Sequence, residues 1–435
     1  MEKCIREFGN SEYFFHCANK IAPSNFSVIF ELNKSIPPEN LTQSINWIVK
    51  RHEMFCTKIM QSSKTRLSFV KNEKPDIEIV HQTGTSEILI SLIEQEINSS
   101  FKNENDPFRV VCFAHCDQKS EHIVFTFNHT LIDATAAITI AQKIILKAFK
   151  KDFAVTNAQQ GILPSVEKMF PRKAKGFAFL RPLSTLIIRR IKFIKKYGKL
   201  RPLNKGFYNI NSRNIKNYRI VIKDLEYTQL VEKCKVKNVT VHHILSALQI
   251  RALRKEYSQR GNIPIEISMP VNLRNKLSTN INADIPGLYI SLPSLAIAVN
   301  EEENVLEIAS NVKDTFSQMI SQDEIYVSLN ILPKFLFPCN EQGIKKLEQT
   351  FSKNQPSTII TNVGLIQAID DTCTHIRSIE FSVAPAKQTL LCSSVCSFNN
   401  AMTINYWFNT DLLPEKDTEI FFERMKNQLH TFLKY

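Results

Sequence analysis

The central motif of the sequence is Phe125-Thr126-Phe127-Asn128-His129-Thr130-Leu131-Ile132-Asp133-Ala134. Residues 123–127 alternate branched, aromatic and hydroxyl side chains, which predicts a half-buried strand. Apolar side chains then recur at helical spacing, which predicts a helix over residues 134–149. His129 therefore lies at a strand end, a rigid edge where catalytic groups are common. Asp133 lies where a helix N-cap would be, so capping alone would also explain it.

The composition is that of a globular protein. The chain has 435 residues, 43% of them hydrophobic and 22% charged, which is enough for two hydrophobic cores. No apolar run reaches the ~18–20 residues of a membrane span, and the first residues lack the apolar core of a secretion signal. The ten cysteines follow no repeating framework, which suits a reducing compartment. We therefore expect a cytoplasmic protein, with peripheral membrane association left open.

The net charge of +13 is concentrated in one segment. Between Lys168 and Lys223 there are 17 Lys or Arg residues and no Asp or Glu. Such a segment would attract an anionic partner, and since no nucleic-acid-binding motif accompanies it we expect no nucleic acid. Apolar residues within it recur at helical spacing among the basic ones: Leu183, Leu186, Ile187, Ile191, Ile194 and Tyr197. This pattern predicts a basic amphipathic helix, which either lies on anionic lipid or docks on its own protein with a solvated basic face.

The strand, the sequence Asn-His-x-x-x-Asp-Ala and the apolar helix together resemble a known motif. This is the His-x-x-x-Asp-Gly motif of the condensation-domain and chloramphenicol acetyltransferase-like superfamily, which includes alcohol acetyltransferases and polyketide-associated acyltransferases. The resemblance runs nearly end to end. Two positions depart from it, since Asn128 stands where many members have another His and Ala134 replaces the usual Gly. His129 and Asp133 are both in place.

A second motif, Pro270-Val271-Asn272-Leu273-Arg274, is similar to the family's Pro-Val-x-Leu-Arg. The Arg of that motif pairs with the Asp of the His motif, so the resemblance implies a structural salt bridge between Asp133 and Arg274. Asp133 would then orient the His129 loop. A carboxylate in the interior needs such a partner, and an Arg fork can hold it with two hydrogen bonds. The alternative for Arg274 is a surface charge at a strand end.

A third motif, Thr361-Asn362-Val363-Gly364, resembles the family's Ser-Asn-x-Gly beside the active channel. Thr361 and Asn362 are therefore candidate substrate-binding residues. Asn128, beside His129 in the first motif, is the third candidate. Thr361 and Asn362 could equally serve a turn that ends at Gly364.

Other histidines and cysteines are interpreted as structural. His52 ends a predicted helix, and the His242-His243 pair lies inside another without a suitably placed Asp. The group Cys112-x-x-His115-Cys116 has no second ligand pair at zinc spacing, so we predict no metal site.

The resemblance implies an α/β fold of two chloramphenicol acetyltransferase-like lobes, each of mixed sheet and helices, around a central channel. We place the N-terminal lobe at residues 1–165, the basic inter-lobe segment at 166–206 and the C-terminal lobe at 207–435. His129 would be the general base that moves an acyl group from a thioester to a small-molecule or lipid-like alcohol or amine. The thioester would be acyl-CoA or a phosphopantetheine-linked acyl group on an acidic carrier protein. This is a co-substrate, so we expect no tightly bound cofactor, and a monomer.

Two other functions stay open. One is a free-standing condensation enzyme that joins two carrier-bound substrates. The other is a non-catalytic binding module that kept the fold, with the basic segment as its working surface. Asn128 and Ala134 favour the binding module, whereas the intact His129, Asp133 and Arg274 argue against it.

Overall fold

The structure is a computed structural model. It describes residues 4–63, 66–116, 120–150, 160–200, 215–256, 260–332, 337–352, 356–370, 374–385, 389–413 and 415–434.

These residues form two large sheets, two small ones and the helices around them. The strands are β1 Cys4–Glu7, β2 Phe26–Leu32, β3 Thr57–Ser63, β4 Arg66–Lys71, β5 Ile79–Gly84, β6 Phe108–His115, β7 Glu121–Phe127, β8 Ile215–Lys223, β9 Ile263–Ser268, β10 Val271–Asn272, β11 Ile290–Ser291, β12 Ser294–Val299, β13 Thr358–Leu365, β14 Ile376–Val383, β15 Leu391–Phe398 and β16 Ala401–Asn409. The helices are α1 Asn10–Ile21, α2 Pro38–Arg51, α3 Ser86–Asn98, α4 Ala134–Ala148, α5 Leu180–Tyr197, α6 Asp224–Val236, α7 Val241–Arg254, α8 Val305–Ser321, α9 Val327–Ile331, α10 Glu341–Ser352 and α11 Glu415–Lys434.

The first large sheet has the strand order β14-β2-β7-β6-β5. Its strands are apolar on both faces because both faces are covered by helices. Phe30 packs towards α2 and α4, whereas the adjacent Ile29 packs towards α3, as the period of two along a strand requires. Strand β7 is central in this sheet, so His129, which follows it, starts from a rigid position.

The second large sheet has the order β12-β9-β13-β15-β16-β8. Helices α7, α8 and α11 cover it and form the larger hydrophobic core with it. The sequence pattern predicts paired strands at residues 388–397 and 402–408. Within the described residues this is confirmed, because β15 and β16 pair antiparallel from Leu391–Phe408 to Phe398–Ala401; residue 388 lies outside them.

One strand crosses between the two halves of the chain. Strand β14 comes from the C-terminal half in sequence, but it pairs antiparallel with β2 at the edge of the first sheet. It also lies against β15 of the second sheet, where the Val383 amide donates a 2.9 Å hydrogen bond to the Ser394 hydroxyl. Strand β14 from the C-terminal half of the chain therefore completes the N-terminal sheet and joins the two sheets.

The basic segment packs against the C-terminal half. Val166, Met169 and Phe170 share a hydrophobic cluster with Leu273 and Tyr289. The amphipathic helix predicted here is confirmed as α5, and it lies beside β12.

Most predicted elements are confirmed to within a few residues. The sequence pattern predicts strands at residues 26–32 and 108–115, and β2 and β6 have these bounds. It predicts a final helix at residues 414–432, and α11 covers the described part of it. It also predicts a strand at residues 76–80, which is too early, since β5 runs from Ile79 to Gly84. Helix α1 was not predicted.

Candidate active site

A cavity of about 400 Å³ lies where the two large sheets meet. Its walls come from α1, the start of α4, α10 and strands β9 to β15, and most of them are apolar. His129 is on the wall, and so are the two candidate residues Thr361 and Asn362. The fold therefore brings three residues from two distant motifs to one cavity.

The imidazole of His129 is held in one orientation and one tautomer. Its Nδ1 lies 3.0 Å from the carbonyl oxygen of Ile132. A carbonyl only accepts hydrogen bonds, so Nδ1 carries the hydrogen and Nε2 carries the lone pair. The rings of Phe15 and Phe26 pack against it, with centroids 4.4 and 4.8 Å away.

Burial also keeps His129 neutral. Removal from water lowers the pKa of His129 below its ordinary value, and the Ile132 carbonyl and the Asp133 charge oppose this only in part. A neutral imidazole with a free Nε2 lone pair is the form that accepts a proton.

Asp133 is bound on all sides by other residues. Its carboxylate accepts hydrogen bonds from Arg274 Nη2, at 2.9 and 2.8 Å, and from the Tyr289 amide at 3.1 Å. It also accepts the Ala136 amide at 3.1 Å, so it caps α4 as well. These contacts fix the position of Ile132, whose carbonyl orients His129. Asp133 thus acts on His129 through the backbone of its neighbour.

Arg274 forms the other half of this connection, 141 residues further along the chain. It also donates to the carbonyls of Asn282, at 2.7 Å, and Ile285, at 3.0 Å. Its guanidinium lies 4.8 Å from the centroid of the Tyr289 ring. The pair is almost completely buried, with side-chain exposures of 6% for Arg274 and 1% for Asp133. The salt bridge that the motifs implied is present, and it connects the two halves of the chain.

Asn128 lies below the motif loop. Its amide nitrogen donates to the carbonyl of Glu104 at 3.0 Å, and its oxygen accepts the Thr130 amide at 3.1 Å. In this position the side chain shapes the loop that carries His129. A contact between Asn128 and substrate remains a prediction, because Asn128 is not among the described residues that line the cavity.

Thr361 and Asn362 lie on β13, opposite β15 in parallel register. The Asn362 oxygen accepts the Gly364 amide at 2.7 Å, which is the local turn foreseen as the alternative. Gly364 has φ 77°, a left-handed conformation that favours glycine. The Asn362 oxygen is already engaged by Gly364, so the side chain would bind a ligand through its amide nitrogen, which donates hydrogen bonds.

The sequence reasoning missed two parts of the site. Helix α1 lines the cavity with Phe14, Phe15 and Ala18. The Asn272 amide donates to the Thr135 hydroxyl at 3.1 Å, and both side chains are on the cavity wall. The position of Asn272 inside the Pro-Val-x-Leu-Arg motif was the signal that could have found it.

The described residues contain no group of three or more His, Cys, Asp or Glu side chains placed to hold a metal ion. Among them, no helix is both long and apolar enough to cross a membrane.

Solved structures match this fold over nearly the whole chain. Polyketide synthase associated protein 5 from Mycobacterium tuberculosis is 11% identical, with a TM-score of 0.68, and the match covers 100% of this chain and 99% of that one. The trichothecene 15-O-acetyltransferase from Fusarium sporotrichioides is 12% identical, with a TM-score of 0.70 and coverage of 99% and 95%. A starter condensation domain of rhizomide synthetase, in complex with C8-CoA, is 9% identical, with a TM-score of 0.65 and coverage of 98% and 94%. The chain thus has the two-lobed α/β fold of condensation domains and chloramphenicol acetyltransferase-like acyltransferases, as the motifs predicted.

Within this class the C-terminal part has a more specific match. Residues 212–393 match the family described as phthiocerol/phthiodiolone dimycocerosyl transferase C-terminus. No curated protein matches the chain in sequence. The family match agrees with the polyketide-associated branch of the predicted superfamily.

Proposed function

We propose that the protein is an acyltransferase that moves an acyl group from a thioester to a hydroxyl or amine, with His129 as the general base. The observation that carries this proposal is the state of His129. Its Nδ1 hydrogen is engaged by Ile132, its pKa is lowered by burial, and it faces an apolar cavity. A base that is neutral and oriented before substrate arrives needs little reorganisation during the reaction.

The reaction would proceed in two steps at this base. Nε2 of His129 takes the proton from the acceptor as the acceptor oxygen or nitrogen attacks the thioester carbonyl carbon. The tetrahedral intermediate then collapses, the carbon–sulfur bond breaks, and the leaving thiolate takes the proton back from His129. The acyl group goes directly to the acceptor, so no covalent acyl-enzyme is needed. A positioned general base contributes roughly 10²- to 10⁴-fold to such a rate.

The donor in this proposal is acyl-CoA or a phosphopantetheine-linked acyl group on a carrier protein. One structural neighbour supports a CoA thioester as donor by its complex with C8-CoA. Another supports acyl transfer to oxygen by its name as an O-acetyltransferase. The apolar walls of the cavity suit an acyl chain or a lipid-like acceptor. Thr361 and the Asn362 amide nitrogen are the groups that we propose position the substrate from the opposite wall.

The test is thioester consumption. Purified protein is given acyl-CoAs of increasing chain length with a panel of alcohols and amines, and thiol release is followed beside product formation. His129→Ala should lose at least a hundredfold of the rate. The control is His430→Ala, because His430 is an exposed histidine on α11 and its loss should leave the rate unchanged.

Equal rates for the wild type and His129→Ala would refute the role of His129. A folded protein that releases no thiol from any acyl-CoA would be tested with carrier-bound donors. Failure with those donors too would refute the transferase proposal and favour the binding module.

A further inference from the structure

Helix α5 presents four of its apolar residues to solvent. Phe177, just before the helix, is 93% exposed, and Ile187, Ile188 and Ile191 are 48%, 51% and 47% exposed. Leu180 is 58% exposed and lies on the same stripe, two turns before Ile187. A helix docked only on its own protein would turn these residues inward.

Two arginines of α5 face the protein instead. Arg189 pairs with the fully buried carboxylate of Glu324, and Arg190 pairs with Glu266 at 3.1 Å. A buried carboxylate is costly to leave without its partner, so these pairs fix which side of the helix faces inward. The outward direction of the isoleucines is therefore built into the fold and does not result from a loosely packed helix.

The exposed stripe is bordered by positive charge. Arg181, Lys192, Lys195 and Lys199 are all exposed, and the helix has no acidic residue. Large apolar side chains in the middle of a basic rim are the pattern of a helix that lies in the plane of an anionic bilayer. At 18 residues α5 is about 27 Å long, too polar to span the bilayer and well suited to lie along it.

We propose that α5 and Phe177 form a docking surface for an anionic lipid bilayer. Phe177, Leu180 and the three isoleucines enter the region between headgroups and acyl chains, while the basic rim contacts lipid phosphates. A protein partner with an acidic surface would satisfy the charges, but the row of apolar side chains favours lipid. This proposal does not depend on the acyl-transfer reaction.

The position of α5 relative to the cavity agrees with this orientation. A groove of about 190 Å³ lies between α5 and β12, and it is lined by Leu186, Phe193 and the small residues Ser294, Ala296 and Ala298. Ser294 also lines the His129 cavity. The groove behind α5 and the His129 cavity thus share one residue, so the helix that carries the docking surface lies near the cavity.

The first experiment is binding of the full chain to vesicles by flotation. Phosphatidylcholine vesicles that contain phosphatidylserine should bind the protein, and pure phosphatidylcholine vesicles should bind it much more weakly. The variant Arg181→Gln/Lys192→Gln/Lys195→Gln should weaken binding about a hundredfold, because each basic residue near an anionic surface contributes about fivefold, or about 1 kcal/mol. The matched control Lys345→Gln/Lys346→Gln removes exposed charge from α10 and should bind like the wild type.

A second variant pair tests the apolar stripe. Ile187→Ser/Ile188→Ser/Ile191→Ser should lose most of its vesicle binding and keep its melting temperature, because the three side chains are half exposed. The control Leu225→Ser/Val236→Ser removes two apolar residues of α6 that are even more exposed, by 70% and 81%, and it should bind normally. In a Phe177→Trp variant, anionic vesicles should shift the added Trp emission to shorter wavelength.

Three results would overturn the proposal. The first is the absence of binding to anionic vesicles, and the second is equal binding by the α5 variants and their controls. The third is binding of the Phe177→Trp protein without a spectral shift, which would place another surface on the lipid. Binding of an acidic carrier protein that α5 variants lose, in the absence of vesicle binding, would assign the surface to that protein.

Discussion

The Arg274→Ala substitution tests how the two halves of the chain build the site. In the native protein Arg274 donates to both carboxylate oxygens of Asp133 and to the carbonyls of Asn282 and Ile285. Its removal leaves the Asp133 charge almost completely buried without a cation. Breaking one partner of a buried pair costs about 3–5 kcal/mol, so we expect the free energy of unfolding to fall by that amount. Urea unfolding followed by circular dichroism measures it.

The same substitution should slow the reaction more than it weakens substrate binding. Without Arg274 the carboxylate no longer holds Ile132 in place, and the Ile132 carbonyl is what orients His129. A displacement of about 1 Å at a catalytic group can cost about 100-fold in rate. We therefore expect kcat to fall by that order while KM changes little. Arg274→Lys keeps the charge but not the set of hydrogen bonds, and it should lie between the wild type and Arg274→Ala.

The control for this substitution is Arg66→Ala. Arg66 also pairs with a carboxylate, that of Glu7 at 3.6 Å, but both side chains are exposed, by 69% and 58%. An exposed pair contributes about 1 kcal/mol or less, so this variant should stay close to the wild type in stability. The reasoning is refuted if the two variants lose equal stability. It is also refuted if Arg274→Ala remains folded with an unchanged kcat.

Three further predictions concern pH and the cavity. The rate constant kcat/KM should fall on acidification with an apparent pKa below the ordinary 6.5 of histidine, because burial lowers the pKa of His129; a pH–rate profile with its limb at or above 6.5 would contradict this. Burial also lowers the pKa of His52, His122 and His242 to about 4. Between these two pKa values the unfolded chain, with pKa values near 6.5, binds more protons than the native state. This contribution to stability should therefore be complete only well above pH 6.5 and be lost progressively as the pH falls towards about 4, with about 2 kcal/mol per histidine lost between about pH 7 and about pH 5. His52→Gln should remove one such share of the loss in urea unfolding, and an unchanged loss would be evidence against the assignment. Ala18→Phe adds a ring to the cavity wall, so it should shorten the longest acyl chain that the protein accepts, and a chain-length profile identical to the wild type would argue against this cavity as the acyl site.

The residues that we propose carry the chemistry were predictable because each lies in a short local pattern. His129 follows an alternating strand and precedes a helix with one apolar face, so its position at a strand end could be derived from periodicity alone. The Asp133–Arg274 pair joins residues far apart in sequence, and no local pattern contains it. Its prediction depended on the resemblance of two motifs, and on the physical need of a buried carboxylate for a cation.

Other parts of the site left no readable signal. Helix α1 has two apolar sides, since Tyr13 and Cys17 pack on α10 whereas Phe15 faces the cavity, so its sequence does not say which side lines the cavity. The placement of β14 in the first sheet is also invisible in sequence, because alternation predicts a strand and not its neighbour. Both features depend on contacts between distant segments.

Helix α5 shows that the spacing of apolar residues can predict a helix without predicting which of its sides faces the protein. The period of its apolar residues predicted the helix itself, and the structure confirms that. The inward side was set by two ion pairs, from Arg189 to Glu324 and from Arg190 to Glu266, whose acidic members lie 135 and 76 residues away. An amphipathic pattern specifies only that one side differs from the other. Because buried acids hold the arginine side inward, Ile187, Ile188 and Ile191 face outward, whereas Leu186 and Phe193 line the groove behind the helix. The exposed isoleucines are the physical reason to expect a bilayer at this surface.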